Sequence, residues 1–269
     1  MNSPEMVKIL EIYEDSQDTK TLVLDKRTDA KPGQFAMLWI PGAGEKPFSF
    51  SWVKGNIEVT VRMVGGFTKE LFKLKKGDFI GFRGPYGNGV FRLIGKKVCV
   101  VSGGVGVAPL IPLVEQAREK NVDVTILAGS TTQKCCLLRK NSRLRKKLEK
   151  MAGREKILTT TDGCETEDRF VTELLEEIMK NGERFDYIYT CGPEIMMKKV
   201  ADIAEKYNTH CEVSLDRYIK CGVGICGQCA IDPSGLMICK DGPVFNSRLL
   251  KDSEFGRYKR DSTGTKIEI

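Results

Sequence analysis

Residues 98–109 have the sequence VCVVSGGVGVAP, a short apolar run that leads directly into a glycine-rich turn and a proline. The apolar run predicts a buried strand, and Pro109 suits the first turn of a helix because its missing N–H has no partner there. A glycine-rich turn between a strand and a helix presents free N–H groups and the positive end of the helix dipole to a phosphate. The stretch therefore predicts a phosphate-binding turn, although it does not match G-x-G-x-x-G literally.

Downstream of this turn, strands alternate with helical stretches. The predicted strands are residues 98–102, 122–128, 157–161, 185–190 and 212–215. The predicted helices carry apolar faces made of Leu110, Leu113, Val114 and Ala117 in one case, and of Phe170, Val171, Leu174, Leu175 and Ile178 in the other. Such alternation predicts an α/β unit with a parallel sheet that helices cover on both sides.

Upstream of the turn, short apolar runs are separated by turn residues. The predicted strands are residues 7–13, 21–24, 34–40, 48–52, 57–62 and 79–83. Six short strands with regularly placed turn signals predict a closed antiparallel β-barrel.

A third pattern follows the last predicted strand, where Cys221, Cys226, Cys229 and Cys239 have the spacing C-x4-C-x2-C with nine residues before the fourth cysteine. That spacing is typical of plant-type [2Fe–2S] ferredoxins. Gly222, Gly224 and Gly227 suit a backbone that wraps tightly around an inorganic core. Structural zinc is an alternative, but it usually takes two C-x2-C pairs. A disulfide framework is a second alternative, disfavoured because residues 1–14 do not resemble a signal peptide.

Composition limits the classes of function that remain open. The chain has 269 residues, a net charge of +7, ten cysteines and one histidine, His210. Ten cysteines without an export signal predict a reducing, cytoplasmic environment, and the apolar runs are too short to cross a membrane. The basic run 139–150 contains Leu144 and Leu148, which with Met151 predict an amphipathic helix. It lacks interleaved aromatic residues, so nucleic-acid binding is not expected.

Three loops in the barrel segment have residues that suit a nucleotide cofactor. Lys46, Pro47, Phe48 and Ser49 place a cation, a predicted rigid turn and a hydroxyl side by side. Gly65, Gly66 and Thr68 combine backbone amides with a second hydroxyl, and residues 84–89 (GPYGNG) form a further glycine-rich turn. Amides at such turns can hold a pyrophosphate, but hairpin turns use the same residues.

The order of these motifs resembles the ferredoxin–NADP reductase superfamily. The resemblance implies FAD bound through Lys46–Ser49, with Lys in place of the family's Arg, and through Gly65, Gly66 and Thr68. It implies NAD bound through Gly103, Gly104 and Gly106 and through a second turn that contains Cys191, Gly192 and Pro193. It also implies a FAD-binding barrel in residues 1–94, a nicotinamide-binding domain in residues 95–215, and a [2Fe–2S] module with a tail in residues 216–269. The polar composition of residues 251–269 separately predicts that this tail is mobile.

Within the superfamily, Ser214-Leu215-Asp216, the cysteine loop and residues 239–245 (CKDGPVF) look like the electron-transfer subunits of class 1B dihydroorotate dehydrogenases. The departures are Asp216 for Glu and Lys46 for Arg. Lysine keeps the positive charge but lacks the planar guanidinium that binds phosphate through two N–H groups. The resemblance implies a partner, the FMN-containing catalytic subunit, in a heterotetramer with two copies of each chain. The gamma subunits of sulfhydrogenases and ferredoxin-dependent NADP reductases are the alternatives, as is a zinc-stapled, non-catalytic adaptor. Residues 129–134 carry no acid for a ribose diol, which leaves NADP open, while the resemblance favours NAD.

Overall fold

The first part of the chain forms a closed, six-stranded antiparallel barrel. The computed structural model describes residues 3–131, 136–160 and 169–269. The barrel strands are β1 (Glu5–Glu14), β2 (Thr19–Leu24), β3 (Phe35–Ile40), β4 (Gly44–Trp52), β5 (Glu58–Arg62) and β6 (Phe79–Tyr86). Their order around the barrel is β1-β2-β5-β4-β3-β6. The predicted barrel is therefore confirmed, with all six predicted strands present.

A helix that the sequence analysis did not predict packs on this barrel. It is α1 (Gly66–Lys73), and it buries Phe67 and Leu71 against the barrel core. The Phe67 ring lies 5.8 Å from the ring of Phe48 on β4. The helix thus brings two of the predicted cofactor loops, the one around Phe48 and the one that starts at Gly65, next to each other.

The second part of the chain forms a six-stranded sheet in the order β14-β11-β10-β7-β8-β9. Its parallel strands are β7 (Lys97–Gly103), β8 (Asp123–Gly129), β9 (Ile157–Thr160), β10 (Tyr187–Cys191) and β11 (His210–Ser214). The predicted parallel sheet is confirmed. One edge strand was not predicted: β14 (Val244–Asn246) pairs antiparallel with β11. Because β14 comes from the cysteine-rich segment, that segment completes the sheet.

The helices of this part are α2 (Ile111–Glu119), α3 (Arg143–Ala152), α4 (Val171–Lys180) and α5 (Glu194–Lys206). The predicted apolar face of α2 is buried. On α4, Val171, Leu174 and Leu175 are buried as predicted, but Phe170 is 65% exposed. The prediction for Phe170 was wrong because this residue caps the helix in an extended conformation and does not share its apolar stripe.

Helix α3 is the amphipathic helix predicted from the basic run, with Leu144 and Leu148 buried. Part of its basic face is used inside the protein. Arg143 Nε lies 3.2 Å from Asp15 of the barrel, and Lys147 Nζ lies 3.2 Å from Glu58. Lys147 Nζ also lies 3.7 Å from the centre of the Trp52 ring. Burial lowers the pKa of Lys147, which Glu58 partly offsets. These contacts join the sheet domain to the barrel.

The cysteine-rich segment and the C-terminal tail form compact structure. Between and after the cysteines lie two short hairpins, β12 (Ala230–Ile231) with β13 (Leu236–Met237), and β15 (Tyr258–Arg260) with β16 (Lys266–Glu268). The prediction of a mobile tail was wrong. Phe255 is 2% exposed, and Glu254 donates its backbone N–H to the Asp232 carbonyl at 2.9 Å. Composition alone misses this because most of the tail is polar, whereas its few anchors are buried.

One hydrophobic core joins all three parts of the chain. It contains Phe35 and Met37 of the barrel, Val213 of the sheet, and Cys229 and Phe245 of the cysteine-rich segment. The segment is therefore packed between the other two parts and is not a separate appendage. None of the helices in the described ranges is long and apolar enough to cross a membrane.

Candidate cofactor sites

The loop from Cys221 to Cys229 follows β11 and faces the barrel. Gly222, Gly224 and Gly227 have φ angles of +78°, +76° and +68°. Residues with a Cβ avoid this left-handed region, so the glycines are required by the path of the backbone. The prediction that the glycines let the chain turn tightly here is consistent with these angles.

Backbone N–H groups in this loop point at the cysteine sulfurs. Gly224 donates to Cys239 Sγ at 3.1 Å, Ile225 donates to Cys221 Sγ at 3.4 Å, and Cys239 donates to Cys229 Sγ at 3.4 Å. Donors of this kind stabilise thiolates and tune the clusters that thiolates bind. The loop therefore has both the ligands and the hydrogen-bond donors that an iron–sulfur cluster uses.

The four cysteines meet as two pairs. The thiols of Cys221 and Cys226 are within hydrogen-bonding distance, as are those of Cys229 and Cys239. All four are free thiols. In the parts of the chain that the structure describes, no three His, Cys, Asp or Glu side chains surround one point closely enough to hold a single ion. Two pairs of thiolates fit a [2Fe–2S] cluster, in which each iron takes two cysteines.

The two ends of this cysteine set differ in electrostatics. Burial would raise the pKa of Cys221, but the N–H groups of Cys226, Val223 and Ile225 outweigh it and lower the pKa to about 6. Burial raises the pKa of Cys239 to about 12, and the adjacent Cys229 thiol acts in the same direction. Cys226 is exposed, whereas Cys229 and Cys239 are buried. A cluster held here would have one edge near the surface and one edge in the core.

The structure brings the two predicted nicotinamide loops together. Strands β7 and β10 are parallel neighbours with Ser102 opposite Cys191, so the loops that follow them meet. A Cβ on Gly103 would lie 2.5 Å from Pro193 Cδ, and a Cβ on Gly106 would lie 2.3 Å from the Cys191 carbonyl oxygen. These glycines are needed for the close approach of the two loops.

Gly104 differs from its neighbours in this loop. It has a φ of +55°, and a Cβ there would meet nothing within 4 Å. Its surroundings are therefore open to a ligand. The predicted helix does not start directly after the glycines, because a 3-10 turn (Gly104–Leu110) contains Pro109 and α2 begins at Ile111. The loop is thus a strand, a tight 3-10 turn and then a helix.

Two titratable groups, the Cys191 thiol and the Asp216 carboxyl, lie where these loops meet the cysteine-rich segment. Cys191 is half-buried, and burial, reinforced by the charge of Asp216, raises the pKa of its thiol to about 12 against a hydrogen bond with Ser214. Asp216 is accessible to solvent, yet burial among protein atoms raises the pKa of its carboxyl against the charges of Lys259 and Arg217. Asp216, which stands where the resembling family has Glu, lies between β11 and the cysteine loop.

The predicted flavin residues Lys46, Pro47, Phe48 and Ser49 lie in the middle of strand β4, where Pro47 is opposite Met37 of β3. The expectation of a rigid turn was wrong because strand pairing continues through Pro47. The four residues are only half-buried, which leaves one face of the strand available to a cofactor. Lys46 Nζ lies 4.6 Å from the Tyr218 ring, so the strand contacts the beginning of the cysteine-rich segment.

Gly65, Gly66 and Thr68 form the start of α1. The Thr68 hydroxyl accepts hydrogen bonds from the N–H groups of Val64 and Gly65, both at 2.9 Å, and donates to the Gly65 carbonyl. The Thr68 hydroxyl therefore stabilises the turn, and its hydrogen bonds are made to the backbone of Val64 and Gly65. A Cβ at Gly65 or Gly66 would meet nothing within 4 Å, so the space beside these glycines is open.

The third glycine-rich turn, residues 84–89, lies against the cysteine-rich segment. Asn88 donates its N–H to the Lys240 carbonyl at 2.9 Å, and Gly89 donates to the Gly242 carbonyl at 2.9 Å. A Cβ on Gly89 would lie 2.2 Å from the Val244 carbonyl oxygen. These amides join the barrel to the cysteine-rich segment and are not free for a phosphate.

Comparison with known proteins identifies two domains. Residues 216–251 match the iron–sulfur cluster binding domain of dihydroorotate dehydrogenase B, and residues 100–202 match the oxidoreductase NAD-binding domain. The chain is 48% identical over 268 residues to a probable dihydroorotate dehydrogenase B (NAD(+)) electron transfer subunit of Methanocaldococcus jannaschii, covering 99% of each chain. A protein of the same name from Methanocella arvoryzae is 41% identical over 270 residues, again covering 99% of each.

Solved structures show the same fold. A chain of the NADH-dependent reduced ferredoxin-NADP oxidoreductase superposes with a TM-score of 0.79 at 26% identity, covering 92% of this chain and 90% of that one. The cytochrome b5 reductase domain of Ulva prolifera nitrate reductase has a TM-score of 0.61 at 15% identity, covering 76% of this chain and 93% of that domain. The resemblance drawn from the sequence is confirmed, as are an iron–sulfur cluster, FAD and NAD as the cofactors of this fold and its domains.

Proposed function

This chain belongs to the family of dihydroorotate dehydrogenase B electron transfer subunits, and we propose that it connects an FMN-bearing catalytic partner to NAD+ during the oxidation of dihydroorotate to orotate. When bound, a [2Fe–2S] cluster carries single electrons, FAD exchanges single electrons for pairs, and NAD+ accepts a hydride. The role of this chain's residues would be to hold the three groups close to one another. The paired cysteines with inward N–H donors are the observation that carries the proposal.

Cys221, Cys226, Cys229 and Cys239 hold the cluster, one pair of thiolates for each iron. The loop keeps its sulfurs in place through the three N–H···S hydrogen bonds, whose donors lie within the loop or at Cys239 itself. Because Cys226 is exposed and the neighbouring Ile225 is 71% exposed, the edge of the loop at these residues is where the partner docks. An electron that comes from outside needs such an exposed edge.

The FAD site lies between the cluster and the sheet. Lys46, Pro47, Phe48 and Ser49 offer one face of β4 to the flavin, and Gly65 and Gly66 bind its phosphates beside α1. The contact between Lys46 and Tyr218, three residues before Cys221, supports a short separation between flavin and cluster. Thr68 acts indirectly, because its hydroxyl fixes the shape of the glycine turn.

NAD lies at the carboxyl ends of β7 and β10. Gly103 and Gly106 let the two loops approach, and Gly104 leaves open space for the pyrophosphate. Cys191, Gly192 and Pro193 form the opposite wall, where the nicotinamide meets the flavin. We assign NAD rather than NADP because the relatives are named for NAD(+). Residues 132–134, which follow β8 and bear on this choice, lie outside the described residues.

The catalytic site for dihydroorotate belongs to the partner. His210, the sole histidine, is at the opposite end of β11 from Ser214, roughly 13 Å away along the strand. Its ring stacks on Tyr187 with centroids 5.7 Å apart. It is thus placed away from Cys191 and offers no base to a substrate bound beside the flavin.

We propose a cytoplasmic heterotetramer with two copies of each chain.

The test is turnover by the purified chain, loaded with FAD and cluster and checked by mass spectrometry for the absence of a partner. It should pass electrons from NADH to ferricyanide but form no orotate from dihydroorotate and NAD+. Orotate should form when the FMN-bearing subunit is added. The matched control is the same complex with Cys226→Ser, which should bind FAD but form no NADH. Orotate made by the single chain would overturn the assignment.

A further inference from the structure

We propose that Arg83, a residue of the barrel, is a positioning residue for the iron–sulfur cluster, and that the Arg83–Glu45 pair sets the cluster's reduction potential. The inference rests on the proposed function only in requiring that the four cysteines hold a cluster. It assigns a role to two residues outside the cysteine-rich segment.

Arg83 reaches from β6 to the first ligand of the cluster. Its side chain is 8% exposed, and Nη2 lies 3.3 Å from the carbonyl oxygen of Cys221. Its Nε donates to Glu45 Oε1 at 2.8 Å, and Nη2 also donates to Glu45 Oε2. The guanidinium is therefore fixed by a two-pronged ion pair while one N–H bonds the ligand loop.

The loop rests on the barrel beside this arginine. At Gly222, next to Cys221, a Cβ would lie 3.0 Å from Met37 Cγ and 3.5 Å from the Tyr86 ring. Arg83 in turn lies 5.7 Å from the centre of the Tyr86 ring and bonds the Tyr86 hydroxyl at 3.3 Å. A movement of the Arg83 side chain would therefore shift the backbone at Cys221, since both pack on the same surface of the barrel.

The two charges act on the cluster in opposite directions. Reduction adds one negative charge, which a nearby cation favours and a nearby anion disfavours. The hydrogen bond to Glu45 raises the pKa of Arg83 despite burial, so the guanidinium remains charged. Glu45 is 20% exposed, so water screens neither member of the pair completely. Removal of either partner leaves the other charge uncompensated beside the ligand loop.

The test is the cluster's reduction potential, measured by EPR-monitored titration of the FAD- and cluster-loaded chain. Arg83→Met should lower the potential and Glu45→Gln should raise it. Each should change the ratio of reduced to oxidised cluster at fixed potential about tenfold, or ~59 mV for one electron. The double variant should return close to the parent. Arg62→Met, which removes a barrel arginine paired with Asp18, is the matched control and should cause no shift.

The iron content separates this proposal from the proposed function. A parent chain without iron contradicts the proposed function, whereas normal iron with shifts of the same sign, or with no shift, overturns the role of the pair. If Arg83→Met loses its cluster, Glu45→Gln decides alone: a raised potential supports the proposal and an unchanged one overturns it. Arg83→Lys, which keeps the charge but loses the fork, should keep the parent potential more closely than Arg83→Met.

Discussion

The cysteine loop (221–229) and the nicotinamide loop (103–106) are both rich in glycine, but their glycines have different uses. In the cysteine loop, Gly222, Gly224 and Gly227 all have positive φ angles. In the nicotinamide loop only Gly104 does, while Gly103 and Gly106 have ordinary backbone conformations and are packed against the neighbouring loop. The cysteine loop needs glycine because its backbone takes left-handed φ angles. The nicotinamide loop needs glycine because a side chain would collide with the neighbouring loop.

This difference follows from what each loop encloses. The cysteine loop turns around a point, so successive N–H groups aim inward at sulfur. The nicotinamide loop lies at the ends of two parallel strands, where the backbone of Cys191 and Gly192 comes close to Gly106. Similar glycine content thus lets one loop turn its N–H groups toward cysteine sulfurs and lets the other loop pack against a neighbouring segment.

The largest effect should come from loss of a ligand in the cysteine loop. We expect Cys226→Ser to remove nearly all iron while FAD remains bound, because two thiolates are needed for each iron and serine is a poor substitute. Metal analysis and the visible spectrum measure both. Cys99→Ala, which changes a buried cysteine of β7, should keep its iron. A Cys226→Ser variant with full iron content would contradict the role of Cys226 as a ligand, and with it the contrast drawn between the two loops.

A large effect should also come from the packed glycine of the nicotinamide loop. We expect Gly106→Ala to lower the free energy of unfolding by about 3 kcal/mol, since its Cβ would overlap a backbone oxygen that cannot rotate away. Gly104→Ala should cost only about 1 kcal/mol, the strain of a left-handed alanine. Denaturant unfolding measures both. Equal costs would mean that close approach is not what Gly106 provides.

A smaller effect should come from the backbone path of the cysteine loop. Gly227 has φ +68° and open space around it, so Gly227→Ala tests conformation alone. We expect it to lower stability by about 1 kcal/mol, and Gly227→Asn to cost less than half as much because asparagine tolerates this region. Thermal unfolding of the cluster-loaded protein is the measurement. An alanine variant as stable as the parent would contradict the conformational role.

The smallest effect concerns Cys191, the cysteine beside the nicotinamide loop. Its pKa is raised to about 12, so at pH 8 about one thiol in ten thousand is ionised. Alkylation by iodoacetamide should therefore be very slow at pH 8 and accelerate about tenfold for each pH unit while the pH stays below the pKa. Mass spectrometry of digested protein, with Cys191→Ser to identify the peptide, measures the rate. Rapid labelling at pH 8 would contradict the raised pKa.

Much of the architecture could be predicted because it depends on local patterns. Short apolar runs between turn residues predicted the six barrel strands, and the alternation of apolar strands with helical stretches predicted the five parallel strands. The spacing of Cys221, Cys226 and Cys229 predicted the chemistry of the third segment. Helix α1 was missed because eight residues that start with Gly66 resemble a turn.

The layers, the glycine-rich loops and the cysteine set could be predicted from the sequence, because strand period, glycine content and ligand spacing are properties of neighbours along the chain. Which distant residues meet is instead set by the packing of the whole chain. It placed Arg83 and Met37 of the barrel under the cysteine loop, and β14 at the edge of the sheet. It also packed the tail through Phe255. These contacts depend on how three apolar surfaces bury one another, and no local pattern records that arrangement.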